Sequence, residues 1–286
     1  MEMEILLYAI ALPSFVGVMF SYCGNLARKI SVLTGFNGCA LAATLLLSSM
    51  SQESLIQFAS QNRWLWFPLT TFMIAVLTDA CGLFKKIMPL RIYIACAVII
   101  LGAALLLIPS WDNLSRRLFL GVAVGGCATV LVLVVEKRKC FSTSLALSFS
   151  LIAPSVLAML SGFAKLAIPL GAVAFCLGII SLIELVRQMR GRKCLGLGVG
   201  GGVVVASIAG LGSATGFGYD TTNIPIWIWV LSAAAPLGLC LGEFPGICSR
   251  QIPSACARIC GCVILAVAAI LMCVLFQNSS ASSLYK

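Results

Sequence analysis

The sequence predicts an all-α membrane protein of about ten transmembrane helices, arranged as a 5+5 inverted repeat. Three observations lead there. Of 286 residues, 61% are hydrophobic and only 10% are charged, against about 25% charged in an ordinary soluble domain. The apolar residues run near-continuously over lengths that cross a bilayer. The basic residues sit between those runs and favour alternate gaps.

In lipid, every backbone polar group pairs within its own helix or within a closed barrel. The runs show no two-residue alternation, so helices are expected over a barrel. A span takes about 20 apolar residues. Ten are placed in order: 4–22, 32–49, 64–83, 91–109, 117–135, 142–162, 166–186, 195–214, 224–242 and 257–277. Nine or eleven are the alternative counts. The sixth and seventh spans have the shortest join, around Lys165. The first run follows Met1-Glu2-Met3-Glu4. A secretory signal would open with Lys or Arg, so this run is expected to stay as a helix. Short loops and two tails use the remaining residues, leaving no extramembrane domain. Residues 1–140 form the first five-helix repeat and 141–286 the second.

Charge sets the expected orientation. Fourteen of the 19 basic residues fall in odd-numbered loops. They are Arg28 and Lys29; Lys85, Lys86 and Arg91; Lys137, Arg138 and Lys139; Arg187, Arg190, Arg192 and Lys193; and Arg250 and Arg258. The other side holds Arg63, Arg116, Arg117, Lys165 and Lys286. The positive-inside rule then puts odd loops in the cytoplasm and both termini outside. It supports an even span count, since a miscounted span would scramble the alternation. A bacterial inner (plasma) membrane is the expected location. The net charge of +10 does not indicate nucleic acid, because no basic face with interleaved aromatics accompanies it. Trp64, Trp66, Trp111, Trp227 and Trp229 fall near span ends on the outer side, as an interfacial belt would.

The chain has 14 cysteines and no histidine. Cys39, Cys81, Cys96, Cys127, Cys176, Cys240, Cys262 and Cys273 lie in apolar runs and are read as small apolar packing residues. Cys248, Cys256 and Cys260 lie closer together, but without a CxxC pair. No metal site or cofactor is expected. The absence of histidine removes the usual triads and proton shuttle. An intramembrane enzyme therefore ranks last among the function classes.

Ten helices divide as five plus five, and an odd number per half inverts the second half. Transporters built this way hold their site at the repeat interface, flanked by broken helices. Pro13-Ser14 in the first span, with Met19 and Ser21, is matched by Pro154-Ser155 in the sixth, with Met159 and Ser161. Gly126-Cys127 in the fifth span is matched by Gly261-Cys262 in the tenth. Pro236 makes a third break. Each proline frees a carbonyl that a neighbour or a cavity satisfies. Asn37 is the most polar residue within the second span; it lines a cavity or bonds to another helix. Asp79 and Glu184 are the only ionisable residues inside spans, and intramembrane ionisable residues are functional candidates by default. Arg187, three residues on, is available to pair with Glu184. The expected substrate path is Pro13, Ser14, Asn37, Asp79, Pro154, Ser155 and Pro236. The glycines of the eighth span, from Gly196 to Gly218, precede no GK[ST], so they are read as close helix packing rather than a phosphate loop.

The second half carries Pro236, then Leu241-Gly242-Glu243, Ser249-Arg250-Gln251 and Gly261. The first half carries Pro109, then Asp112-Asn113-Leu114-Ser115-Arg116-Arg117, Gly121 and Gly125. With the length and the minimal loops, this pattern resembles the drug/metabolite transporter superfamily, EamA-like branch. The resemblance spans the whole architecture through few and degenerate motifs. It implies a transporter of small metabolites, amphiphiles or nucleotide-like solutes; proton or ion coupling rests instead on Asp79 and Glu184, whose burial would suit them to it. Members of that family usually begin in the cytoplasm, opposite to the charge bias here, and Val16-Gly17 stands where a Trp-Gly is common. The alternative class is a non-transporting membrane subunit or scaffold. Its mark would be a lipid-facing stripe of small residues, such as the eighth span.

Overall fold

The structure is a computed structural model that describes residues 10–27, 37–50, 63–81, 114–138, 140–192, 194, 196–244, 246–248 and 251–284. Among these residues it is all-helical. There are nine α-helices: α1 (Leu12–Ala27), α2 (Asn37–Met50), α3 (Trp66–Cys81), α4 (Leu114–Lys137), α5 (Phe141–Leu160), α6 (Ala164–Met189), α7 (Gly198–Gly218), α8 (Ile226–Ala234) and α9 (Gln251–Leu284). Each overlaps one expected span. The span expected at 91–109, with Pro109 and Trp111, lies outside the described residues.

Among the described residues, six stretches are long and apolar enough to cross a membrane: α4 to α7, Ile226–Glu243, and Ile252–Ser279 within α9. The fold is that of a multi-pass helical membrane protein. α2 and α3 are shorter apolar helices. α9 has 34 residues, about 51 Å of helix, and outreaches a hydrocarbon core of about 30 Å.

The glycine-rich α7 is the centre of the bundle. Every residue from Gly200 to Gly216 is buried, and α2, α3, α4, α5 and α8 pack around it. Its glycines make this possible. A Cβ at Gly210 would strike Val124 of α4, and one at Gly216 would strike the Trp229 ring. The span offered as a lipid-facing stripe is therefore the innermost helix. A helix apolar on every side has no amphipathic stripe to face solvent or lipid. α9 is the opposite case, with Ile264, Leu271 and Leu275 turned outward.

α5 and α6 form an antiparallel hairpin through a tight turn. Gly162 takes φ +81°, which the Phe163 N–H to Ala158 carbonyl bond (2.9 Å) and the Gly162 N–H to Met159 carbonyl bond (3.1 Å) require. This left-handed helix end suits glycine. Pro154 and Pro169 lie inside α5 and α6. Pro236 has a larger effect. It ends α8, and the chain tightens into a 3-10 helix over Ala235–Glu243. Nine residues is long for that geometry, in which poorer hydrogen bonds usually limit runs to about four residues. The segment is held by a glycine contact, since Gly238 and Gly261 of α9 meet backbone to backbone and neither has room for a Cβ.

The loops sort to two ends. Lys137, Arg138, Arg192 and Arg258, from three odd-numbered loops, surround one cavity. The opposite end joins Trp64, Phe163 and Tyr219, from even-numbered loops: Trp64 meets Phe163 edge-on at 5.7 Å, and Phe163 stacks on Tyr219 at 5.1 Å. The expected aromatic belt is only half realised. Trp66 and Trp227 are exposed, but Trp64 and Trp229 are buried at 2% exposure. Trp64 packs into the aromatic cluster and Trp229 fills the notch left by Gly216. A position near a helix end does not reveal which way the ring turns.

Candidate functional site

The residues expected to line a substrate path fall in three places. The two Pro-Ser motifs flank α6. The Ser14 hydroxyl lies 2.6 Å from the Ile10 carbonyl and 3.0 Å from that of Ala172, and its single proton serves one at a time. Ser155 donates to the Ala167 carbonyl at 2.8 Å. The Pro13 carbonyl accepts from Thr44 of α2 at 3.3 Å. Pro154 is buried in α5. Ser155 also borders an apolar groove of about 450 Å³ between α5 and α6, with Phe149, Ile152, Phe175 and Leu182; these four are exposed, so the groove faces lipid. Pro236 lies elsewhere, its carbonyl 3.9 Å from the Cys262 thiol.

Asn37 lies at the basic end. It is buried, and its amide donates to the Gly196 carbonyl at 2.8 Å. It thus ties α2 to the segment entering α7. Gly196 also touches Glu184 through its backbone N–H. Glu184 is 3% exposed in the last third of α6, and Ser144 of α5 donates to its carboxylate at 2.7 Å. Asn37, Gly196, Glu184 and Ser144 form one continuous polar chain through α2, α5 and α6. Ser144 holds the Glu184 carboxylate by a hydrogen bond, and Arg187, three residues on, acts on it through charge. The α5–α6 hairpin places Ser144 opposite Glu184, 40 residues apart in sequence. Helical spacing along α6 alone pointed to Arg187. Asp79 is on the final turn of α3; its side chain lies outside the described residues.

Cys194 follows this chain toward the surface. Its thiol lies 3.9 Å from the Glu184 carbonyl and 3.7 Å from the Gln188 side chain. Burial pushes this thiol up from its ordinary pKa, and the nearby Glu184 charge pushes in the same direction.

Beside it, Glu243 at the end of the 3-10 segment joins three cations. Arg138 Nε reaches its two oxygens at 3.0 and 3.3 Å. Arg258 Nη2 reaches it at 3.0 Å and Lys137 Nζ at 3.6 Å. The Arg258 side chain is only 4% exposed. It further donates to Ser254 Oγ at 2.6 Å and to Cys140 Sγ at 3.4 Å. A guanidinium this dehydrated needs a counter-ion. Gly242 allows the approach, since a Cβ there would strike the Arg258 stem. In the sequence Gly242-Glu243 is only a short motif, and nothing local there shows that Glu243 joins three cations. Charge alternation did place Lys137, Arg138 and Arg258 at the same end, which was the available signal.

No protein-family model matches the chain, and no curated protein matches it.

Proposed function

We propose that this chain is a secondary transporter that moves a small metabolite or amphiphile across a bacterial plasma membrane by alternating access, with Glu184 as the proton-coupling group. The observation that carries this reading is the buried Glu184 carboxyl within a spanning helix, hydrogen-bonded to Ser144 and to the Gly196 backbone. A carboxyl held there is costly unless it is used. Its chain of polar contacts crosses from α5 and α6 to α2.

Part of the packing is what ten spans in two inverted halves would give. Under a 5+5 repeat the second and seventh spans are mates, as are the third and eighth. Those mates are α2 and α6, and α3 and α7, and both pairs pack together, as elements beside a two-fold axis do. α3 starts beside the aromatic end and finishes toward the basic end. α4 starts at the aromatic end and finishes at Lys137. The apolar run 91–109 lies between them in sequence. The long 3-10 segment after Pro236 supplies a break of the kind transporters use.

The test is uptake into vesicles reconstituted with the full chain, screened over small metabolites and amphiphiles under an imposed pH gradient. Glu184→Gln should abolish pH-driven uptake while leaving exchange of the same solute. Asp79→Asn, the other intramembrane acid, is run beside it. Unchanged pH-driven uptake in Glu184→Gln removes the coupling role, and no uptake of any solute sinks the reading. One observation favours a non-transporting subunit instead. Gly171, Ala174 and Gly178 floor the lipid-facing groove between α5 and α6, and small residues there suit a partner helix.

A further inference from the structure

The cavity at the basic end has a volume of about 380 Å³, within the range of small-ligand sites. Lys137, Arg138, Arg192 and Arg258 line it, and among the described residues no carboxylate does. Glu243, beside the cavity, is already engaged by three of these cations. Among the described residues, no carboxylate pairs with Arg192. The cavity therefore holds a surplus of positive charge that one carboxylate does not neutralise.

Two further features point the same way. The first turns of α5 and α9 both open on the cavity, through Ser142 and Ser254. Helix N-termini carry partial positive charge and exposed N–H donors, and they favour anions. The cap residue of α5, Cys140, makes no side-chain capping bond. Arg258 is 97% buried and its Nε has no hydrogen-bond partner. A buried guanidinium donor without a partner is costly, and an anion in the cavity would offset that cost through charge, not by reaching the Nε itself, which packs against Gly242.

From these convergent donors we infer that the cavity is a binding site for a phosphate-bearing anion, either a soluble phosphate or the phosphate of a lipid headgroup. Arg138 and Arg258, fixed by Glu243, form its rigid wall. Lys137 and Arg192, both exposed, form its outer rim. The site is independent of the transport reading, because it uses none of the residues assigned to coupling.

The experiment uses the full chain in maltoside micelles, free of phospholipid. Radiolabelled inorganic phosphate is followed by equilibrium dialysis, and phosphatidylglycerol by native mass spectrometry. One equivalent of at least one probe should bind. Lys137→Gln/Arg192→Gln, which leaves Arg138 and Arg258 on Glu243, should weaken it about tenfold or more, as expected for losing two charge-assisted contacts. Arg116→Gln/Arg117→Gln removes the same charge at the opposite end and should change affinity less than about twofold. Phosphate binding alone identifies a soluble ligand, and phosphatidylglycerol binding alone identifies a headgroup. Binding of neither probe overturns the inference. Equal weakening by the two double variants overturns it as well, because net charge and not the site would then be responsible.

Discussion

At the basic end, Glu243 gathers Lys137, Arg138 and Arg258 from separate segments. At the opposite end, Trp64, Phe163 and Tyr219 make the join without a formal charge. Neutral hydrogen bonds complete that second join: Thr221 donates to the Ser161 carbonyl at 2.8 Å, and Gln277 to that of Leu160 at 3.0 Å. Asp220 accepts from Thr222 and Ile224 within its own loop. The two ends should fail differently. Removing one member of a dehydrated ion cluster strands the others, whereas removing one ring loses only its own contacts.

The largest expected effect is Glu243→Gln, which leaves Arg258 buried without its counter-ion. It should cost about 3 kcal/mol, read as a lower unfolding midpoint in maltoside micelles. Gly238→Val comes next. Its Cβ would meet the Gly261 backbone, which cannot yield, and the cost should be about 2 kcal/mol. Phe163→Leu at the opposite end removes two aromatic contacts and should cost about 1 kcal/mol. Lys137→Gln is the smallest. Its side chain is 68% exposed, and such pairs contribute less than about 0.5 kcal/mol. If Phe163→Leu proves as costly as Glu243→Gln, the contrast between the ends is wrong. A midpoint of Glu243→Gln that does not move toward wild type under changes of salt would sharpen it, since buried pairs are little screened.

Different parts of this molecule were readable to different depths. Apolar run length located nine described helices, because a span must pair all its backbone groups internally. Charge alternation sorted the loops, because Lys137, Arg138, Arg192 and Arg258 do meet at one end. Run length says nothing about rotation of a helix about its axis. Trp64 and Trp229 therefore turned inward unforeseen, and α7 proved to be central. Local spacing could offer Arg187 to Glu184, but Ser144 is delivered by a tertiary hairpin. The closest miss was Glu243. Its partners Arg138 and Arg258 are 105 and 15 residues away, and only packing sets those distances.

The burial of α7 also bears on biosynthesis. Among the described residues it is the least apolar of the six spanning stretches and the most buried. A nascent chain delivers helices to the bilayer in order, and a marginal one gains little by partitioning alone. α7 reaches the insertion machinery after α2, α3, α4 and α5, four of the five helices that enclose it. Its entry is thus an act of assembly on earlier helices as much as of insertion, and the notches at Gly210 and Gly216 are the docking points. Ribosome-bound chains truncated just after α7 should integrate it efficiently only when the preceding helices are present.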